Sequence, residues 1–131
     1  MDTVSRAQRS VLVQAYSFTS RPIANALIAA HQRGIDVEVV LDQSQRTERQ
    51  SLARLLLEAR VPVFIDAAHS IAHNKVMVID EATVITGSFN FTRAAEEHNA
   101  ENLLVIRDGA LADRYRANWR AHRSHAAPFR G

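Results

Sequence analysis

The sequence predicts an α/β fold, with helices packed over a mixed β-sheet. Three observations lead there. Apolar, β-branched runs alternate with amphipathic helical stripes in the order strand, helix, strand, helix over the first half of the chain. Gly34 and Pro62 stand where those helices should stop. Two further short apolar runs, Val76 to Ile79 and Thr83 to Thr86, flank a polar turn at 80–82, the pattern of a hairpin. A chain of 131 residues fits a single domain over 1–131, large enough for a core but small for a doubly covered sheet.

Taken in order, Ser10 to Phe18 (SVLVQAYSF) reads as a buried strand. Ser20 caps a helix that carries Pro22 in its first turn, where the missing N–H costs nothing. Its apolar stripe is Ile23, Ala26, Leu27 and Ala30. Val37 to Leu41 is a second strand, followed by a polar loop from Asp42 to Arg46. Thr47 is the expected cap of a second helix with core residues Leu52, Leu55, Leu56 and Ala59, which Pro62 stops. Val63 to Ile65 is a third strand, and Asp66 to Ala72 a loop leading into the hairpin. Thr92 to His98 reads as a short helix and Glu101 to Ile106 as another strand. Leu111, Tyr115, Asn118, Trp119 and His122 recur at helical spacing, so Ala110 to His122 is helical. The tail 124–131 carries Pro, Gly and Arg and is expected to fray.

Composition excludes several classes. The absence of cysteine rules out disulfides and thiolate metal sites. No apolar run approaches the ~20 residues of a membrane span. The net charge is only +2, so bulk charge does not call for nucleic acid. Of the 16 basic residues, Lys75 is the one lysine and the other fifteen are arginines. That bias fits a GC-rich genome, and it singles out Lys75 as a place where a point charge on a flexible stem is wanted. Met1 to Ser10 is polar and does not read as a signal peptide, so the chain as written reads as cytoplasmic.

The chemistry concentrates in HNKVMVIDEATVITGSFN, His73 to Asn90. If the hairpin loop is Asp80 to Thr83, Ile79 faces Val84, His73 lies opposite Asn90 and Lys75 opposite Ser88, all four on one face. A slip of one residue would scatter them over both faces. Such a cluster suits a phosphodiester. Imidazole can attack phosphorus or move a proton near neutral pH. An ammonium and a side-chain amide can hold non-bridging oxygens as charge builds on them. Gly87 lets the backbone approach a ligand closely.

His73-x-Lys75, four residues, Asp80, then Gly87-Ser88-x-Asn90 resembles the HKD signature of the phospholipase D superfamily. Six positions match at fixed spacing. The text from AYSFTS at Ala15 to AENLLVI ending at Ile106 is similar to the small single-motif bacterial endonucleases of that superfamily, so the resemblance covers nearly the whole chain. It implies a phospholipase D-like single-motif α/β domain with a mixed sheet flanked by helices. The related nucleases carry a further strand and helix before the equivalent of Ser10, and often an export signal. Against them this chain reads as shortened at the N-terminus, and a longer natural N-terminus would make it periplasmic or secreted.

The resemblance also implies the roles. His73 would attack phosphorus to form a phosphohistidine, Lys75 and Asn90 would hold phosphate oxygens, and Ser88 could add a hydroxyl donor. Glu101, 28 positions after His73, matches the acidic residue that orients the imidazole. Asp80 belongs to the pattern, but its place beyond the strand from His73 predicts a structural part in the turn. His69 could line the mouth of a pocket. The remaining histidines, His31, His98, His122 and His125, read as solvated. Tyr16 and Phe18 read as packing residues, and Arg46 and Arg49 as candidates for backbone contacts along a nucleic acid.

Members with two motif copies build one site from both, so a chain with a single copy calls for a two-fold partner. The expected function is a metal-independent phosphodiesterase without cofactor, a sequence-tolerant endonuclease cleaving DNA at a site shared by a homodimer, with no membrane partner. Two alternatives stand beside it. One is a phospholipase D-type lipid hydrolase, and the other a truncated, inactive domain that binds nucleic acid or a protein partner. A histidine-rich metal hydrolase is disfavoured, because no two histidines and a carboxylate fall at ligand spacing.

Overall fold

The computed structural model describes residues 2–15, 18, 20–43, 52–67, 75–87 and 103–130, with positions 2, 75, 87, 103 and 104 described through their backbone alone. The elements are α1 (Asp2–Ser5), β1 (Ser10–Ala15), α2 (Arg21–Gln32), β2 (Asp36–Asp42), α3 (Ala53–Glu58), β3 (Val63–Asp66), β4 (Lys75–Ile79), β5 (Thr83–Gly87), β6 (Leu103–Arg107), α4 (Gly109–Ser124) and β7 (Ala127–Pro128). The seven strands form one sheet in the order β6-β5-β4-β1-β2-β3-β7. β1, β2 and β3 run parallel to one another, and every other pairing is antiparallel. This is the mixed α/β sheet that the alternation of elements predicts.

Strand alternation divides the core in two. On one face Val11, Val13, Val39, Leu41, Met77 and Ile85 pack with Ile23 and Leu27 of α2 and Leu56 of α3. On the other, Leu12, Val40, Val76, Val78 and Val84 pack with Ala112 and Trp119 of α4. The Trp119 indole is fully used: Nε1 donates to the Val13 carbonyl at 2.8 Å. Phe18 is buried at 0% exposure, so it is a packing residue, as its sequence context predicts.

Helix ends follow local chemistry. The Ser20 side chain accepts from the Ile23 N–H, with Pro22 in the first turn, and Gly34 at φ 88° ends α2. The Ile35 N–H bonds the Ala30 carbonyl and the Gly34 N–H that of His31, a Schellman closure. α3 ends the same way one turn before Pro62. Arg60 takes φ 66°, and the Val61 N–H reaches the Leu56 carbonyl. Proline is therefore not what stops it. The expected cap, Thr47, lies outside the described residues, as does the expected helix 92–98.

Two expectations are corrected here. The hairpin register is shifted by one: Ile79 pairs with Thr83 and Val78 with Val84. Continued one step, this register sets Lys75 opposite Gly87 rather than Ser88. The cause is the turn. Asp80 and Glu81 both adopt positive φ, 56° and 60°, and the Ala82 N–H closes onto the Ile79 carbonyl. This conformation matches strand twist and leaves a loop of three residues instead of four. The pairing alone therefore does not place His73, Lys75, Ser88 and Asn90 on one face, and 88–90 lie outside the described residues.

The tail is the second correction. Instead of fraying, Ala127 and Pro128 pair with Ile65 and Phe64, and the Phe129 N–H donates to the Val63 carbonyl at 2.8 Å while its ring enters the core. Proline at an edge strand leaves no ladder donor missing. Among the described residues no helix is long and apolar enough to cross a membrane.

Beside this edge, the Arg123 guanidinium lies 3.5 Å over the Phe64 ring and Nε is 3.7 Å from Glu38 Oε1. Burial, reinforced by the nearby charge of Asp36, still raises the Glu38 pKa above its usual 4.5, and Arg123 offsets this only in part. A carboxyl whose folded pKa is raised favours the fold when protonated. That contribution is full below the ordinary value and is lost as pH rises through the raised one. Glu38→Gln should therefore melt above wild type at pH 7, with the gap closing below about pH 4.5. Melts across this range check it, and a variant that melts lower at neutral pH would contradict it.

Candidate active site

One edge of the sheet gathers the ends that matter. The parallel strands β1, β2 and β3 finish there at Ala15, Asp42 and Asp66. β4 begins there, Lys75 pairing with Ala15. β5 returns to it at Gly87, and β6 starts opposite at Leu103. In open α/β sheets the carboxyl ends of the parallel strands are where ligands bind. Lys75, Gly87 and Leu103 sit on three adjacent strands, so their backbones span only about 10 Å.

The sequence hangs its polar residues on these ends. His73 precedes Lys75 by two positions, Ser88 and Asn90 follow Gly87 directly, and Glu101 precedes Leu103 by two. His73, Ser88, Asn90 and Glu101 lie outside the described residues, as do His69, Tyr16, Arg46 and Arg49. The strand ends that flank the motif all meet at the one edge. α2, which connects the end of β1 to the start of β2, also begins on this side, so its N-terminus directs partial positive charge toward this edge.

Asp80 is at the other end. Five residues along β4 from Lys75, it is about 17 Å away along the strand. Its Oδ1 accepts from the N–H groups of Gln8, Arg9 and Ser10 at 3.0, 2.7 and 3.2 Å, and its own N–H donates to the Ser10 carbonyl at 2.8 Å. Oδ2 also lies 3.0 Å from the Gln8 nitrogen. The carboxylate thus ties the entry of β1 to the hairpin turn. Next to it, Glu81 pairs with Arg116 of α4. Arg33 donates to the carbonyls of Ala7 at 3.1 Å and Val4 at 3.4 Å, so the N-terminal segment is held ahead of the Asp80 contacts as well.

Sequence reasoning missed one polar pair at the site edge. His122 is not solvated: it is 8% exposed, and Nδ1 lies 2.7 Å from Oδ2 of Asp66, which is 0% exposed. Asp42 sits beside Asp66 in register and is also buried. The signal was present, because His122 falls on the same helical stripe as Leu111, Tyr115 and Trp119, the face that α4 turns to the sheet.

Comparison with known proteins adds the following. The family described as cardiolipin synthase, PLD-like domain, matches residues 1–123. A phospholipase D of Rickettsia felis is 46% identical over 116 residues, which is 88% of this chain and 58% of that protein. A mitochondrial cardiolipin hydrolase of Xenopus tropicalis is 34% identical over 110 residues, 84% of this chain and 52% of that protein. The chain therefore spans a little over half the length of these relatives. The crystal structure of Nuc from Salmonella typhimurium, a phospholipase D family member, superposes with a TM-score of 0.91 at 38% identity, over 99% of this chain and 88% of that one.

The Asp80 contacts carry a prediction. Asp80→Ala removes a charged acceptor shared by three N–H groups and puts a residue that tolerates positive φ poorly into the turn. It should cost about 2–4 kcal/mol in urea unfolding, and Asp80→Asn, which keeps one acceptor oxygen and accepts the conformation, about half as much. A loss under about 0.5 kcal/mol for alanine would mean that the clamp is idle.

Proposed function

The chain belongs to the phospholipase D superfamily, and from that premise we propose that it is a phosphodiesterase that cleaves DNA through a phosphohistidine intermediate. The observation that carries this reading is the meeting of the strand ends around the HKD-type motif at one carboxyl-terminal sheet edge. The likeness to Nuc, 38% identical over nearly the whole chain, supports it.

In this reading His73 attacks phosphorus, forming a P–N bond as the P–O bond to one nucleoside oxygen breaks. Lys75 and Asn90 hold the non-bridging oxygens as charge grows on them, and Ser88 adds a donor. Glu101 on the second ring nitrogen keeps the imidazole in its attacking tautomer and supports the cation that follows. The departing oxygen takes its proton from the partner's His73, and water then cleaves the phosphohistidine. Asp80 acts at a distance, by holding β1 and the hairpin in register.

A second reading is hydrolysis of a lipid phosphodiester by the same steps. The names of the Rickettsia and Xenopus relatives favour it. Purified protein assayed on plasmid DNA and on cardiolipin and phosphatidylcholine vesicles separates the two: cleavage of lipid with intact plasmid would overturn the DNA assignment. Activity should persist in excess EDTA with a bell-shaped pH profile, whose two apparent pKa values belong to the histidine pair. Loss with EDTA, restored by a divalent cation, would replace the mechanism by metal-assisted hydrolysis.

The shared site is tested by mixing. Wild type and His73→Ala are combined in equal amounts and refolded together. Random pairing leaves about a quarter of dimers fully wild type, so activity should fall to about half that of the same wild-type amount refolded alone. Full retention would show that each chain works independently.

A further inference from the structure

The buried polar pair Asp66–His122 stands at the sheet edge that carries the proposed chemistry, and the mechanism above does not use it. Asp66 is the last residue of β3 and His122 lies in the final turns of α4, Nδ1 to Oδ2 at 2.7 Å. Neither is a surface contact, with Asp66 at 0% and His122 at 8% exposure. Burying a carboxylate is expensive unless it is paired and bonded, so the fold keeps this one against a cost that an apolar residue would avoid.

The topology suggests what the pair serves. β3 and β4 are consecutive in the chain but not in the sheet, where β2 and β1 stand between them. Ile65, Leu41, Ala15 and Lys75 fall on one register row, so Asp66 and Lys75 are at the same edge, three strand spacings or about 14 Å apart. Nine chain steps join them, enough to reach about 30 Å when extended. That connection includes His73. At Lys75 the end is held by pairing with β1. At Asp66 the ladder with β7 has stopped at Ile65, pairing with Asp42 of β2 holds the backbone, and the bond to His122 ties the side chain to α4 as well.

We propose that Asp66 and His122 form a positioning pair for the phosphodiester chemistry, fixing the point from which the chain sets out toward His73. The proposal rests on the reading of His73 as nucleophile. α4 is itself locked to the sheet, through the Trp119 bond to Val13 and the Arg123 contact with Phe64, so the anchor is rigid. Small displacements of an attacking group are costly even when their origin is remote from the reacting atoms.

The test compares His122→Leu, which fills the space without a donor, with His122→Asn, whose amide nitrogen stands where Nδ1 was. On a labelled DNA duplex, His122→Leu should lower kcat at least about tenfold with KM within about threefold, and His122→Asn should return kcat to within about threefold of wild type. In parallel, the ring resonances of His73 in histidine-labelled protein, assigned by difference from His73→Ala, should move in the leucine variant and return in the asparagine one. Wild-type kcat per folded molecule together with an unmoved His73 ring in His122→Leu would overturn the proposal. A wild-type chain that cleaves no phosphodiester would overturn the functional reading instead, and the His73 resonances would still decide the positioning role. If His122→Leu does not fold, Asp66→Asn takes its place, keeping size and one acceptor oxygen but not the charge. A kcat loss of about threefold with a shifted His73 ring supports the pair, and unchanged values for both overturn it.

Discussion

Asp80 turns its carboxylate onto the consecutive N–H groups of Gln8, Arg9 and Ser10, and the geometry of the opposite sheet edge depends on that contact. β1 is the strand on which both halves of the sheet are aligned, parallel to β2 on one side and antiparallel to β4 on the other. A strand pair can slip by a residue at small cost in hydrogen bonds unless something pins it. Here the pin is at the start of β1 and the end of β4, and its effect is felt at Ala15 and Lys75, where the same two strands come level at the other edge. The turn itself is part of the device. Positive φ at Asp80 and Glu81 aims the Asp80 side chain at the entry of β1 and leaves Glu81 for Arg116.

The mixed topology then decides where chemistry can sit. Three parallel strands end at one edge and leave their following segments there. An antiparallel hairpin added beside β1 delivers the start of β4 and the end of β5 to that same edge, and β6 begins there too. No single element carries the site. The start of β4, the end of β5 and the start of β6 become neighbours only because the strand directions alternate in this way.

Much of this was legible in the residues. The element order, the Ser20 cap, the Gly34 stop and the stripe of α4 all follow from local chemistry, which acts over a few positions. What failed depended on contacts made across the chain. The residues alone place the hairpin one position out of register because the turn's length is set by backbone conformation at Asp80 and Glu81, held by partners some seventy positions away at Gln8 and Arg9. The tail looked featureless, yet β3 offers it an open edge and a place for the Phe129 ring. His122 reads as solvated by residue type, although its helical phase puts it on the buried face. Imidazole is ambiguous between core and surface, and the partner that decides, Asp66, looked like the start of a polar loop. Of the six catalytic candidates, only Lys75 and Asp80 fall within the described residues, and they stand at opposite ends of one strand.

That separation bears on how a short sequence signature should be read. His73, Lys75 and Asp80 sit within eight positions and suggest a single cluster of reacting groups. A strand intervenes, however, and at about 3.4 Å per residue it carries Asp80 well beyond reach of anything near Lys75. The spacing between Lys75 and Asp80 is the length of β4, the distance over which the register must be kept. In the proposed reading one end of that strand faces the chemistry, and the other holds the alignment on which that geometry depends. The fixed interval between two residues of unlike role is itself the structural constraint, and it explains why a motif can require an acidic residue that has no reacting atom to touch.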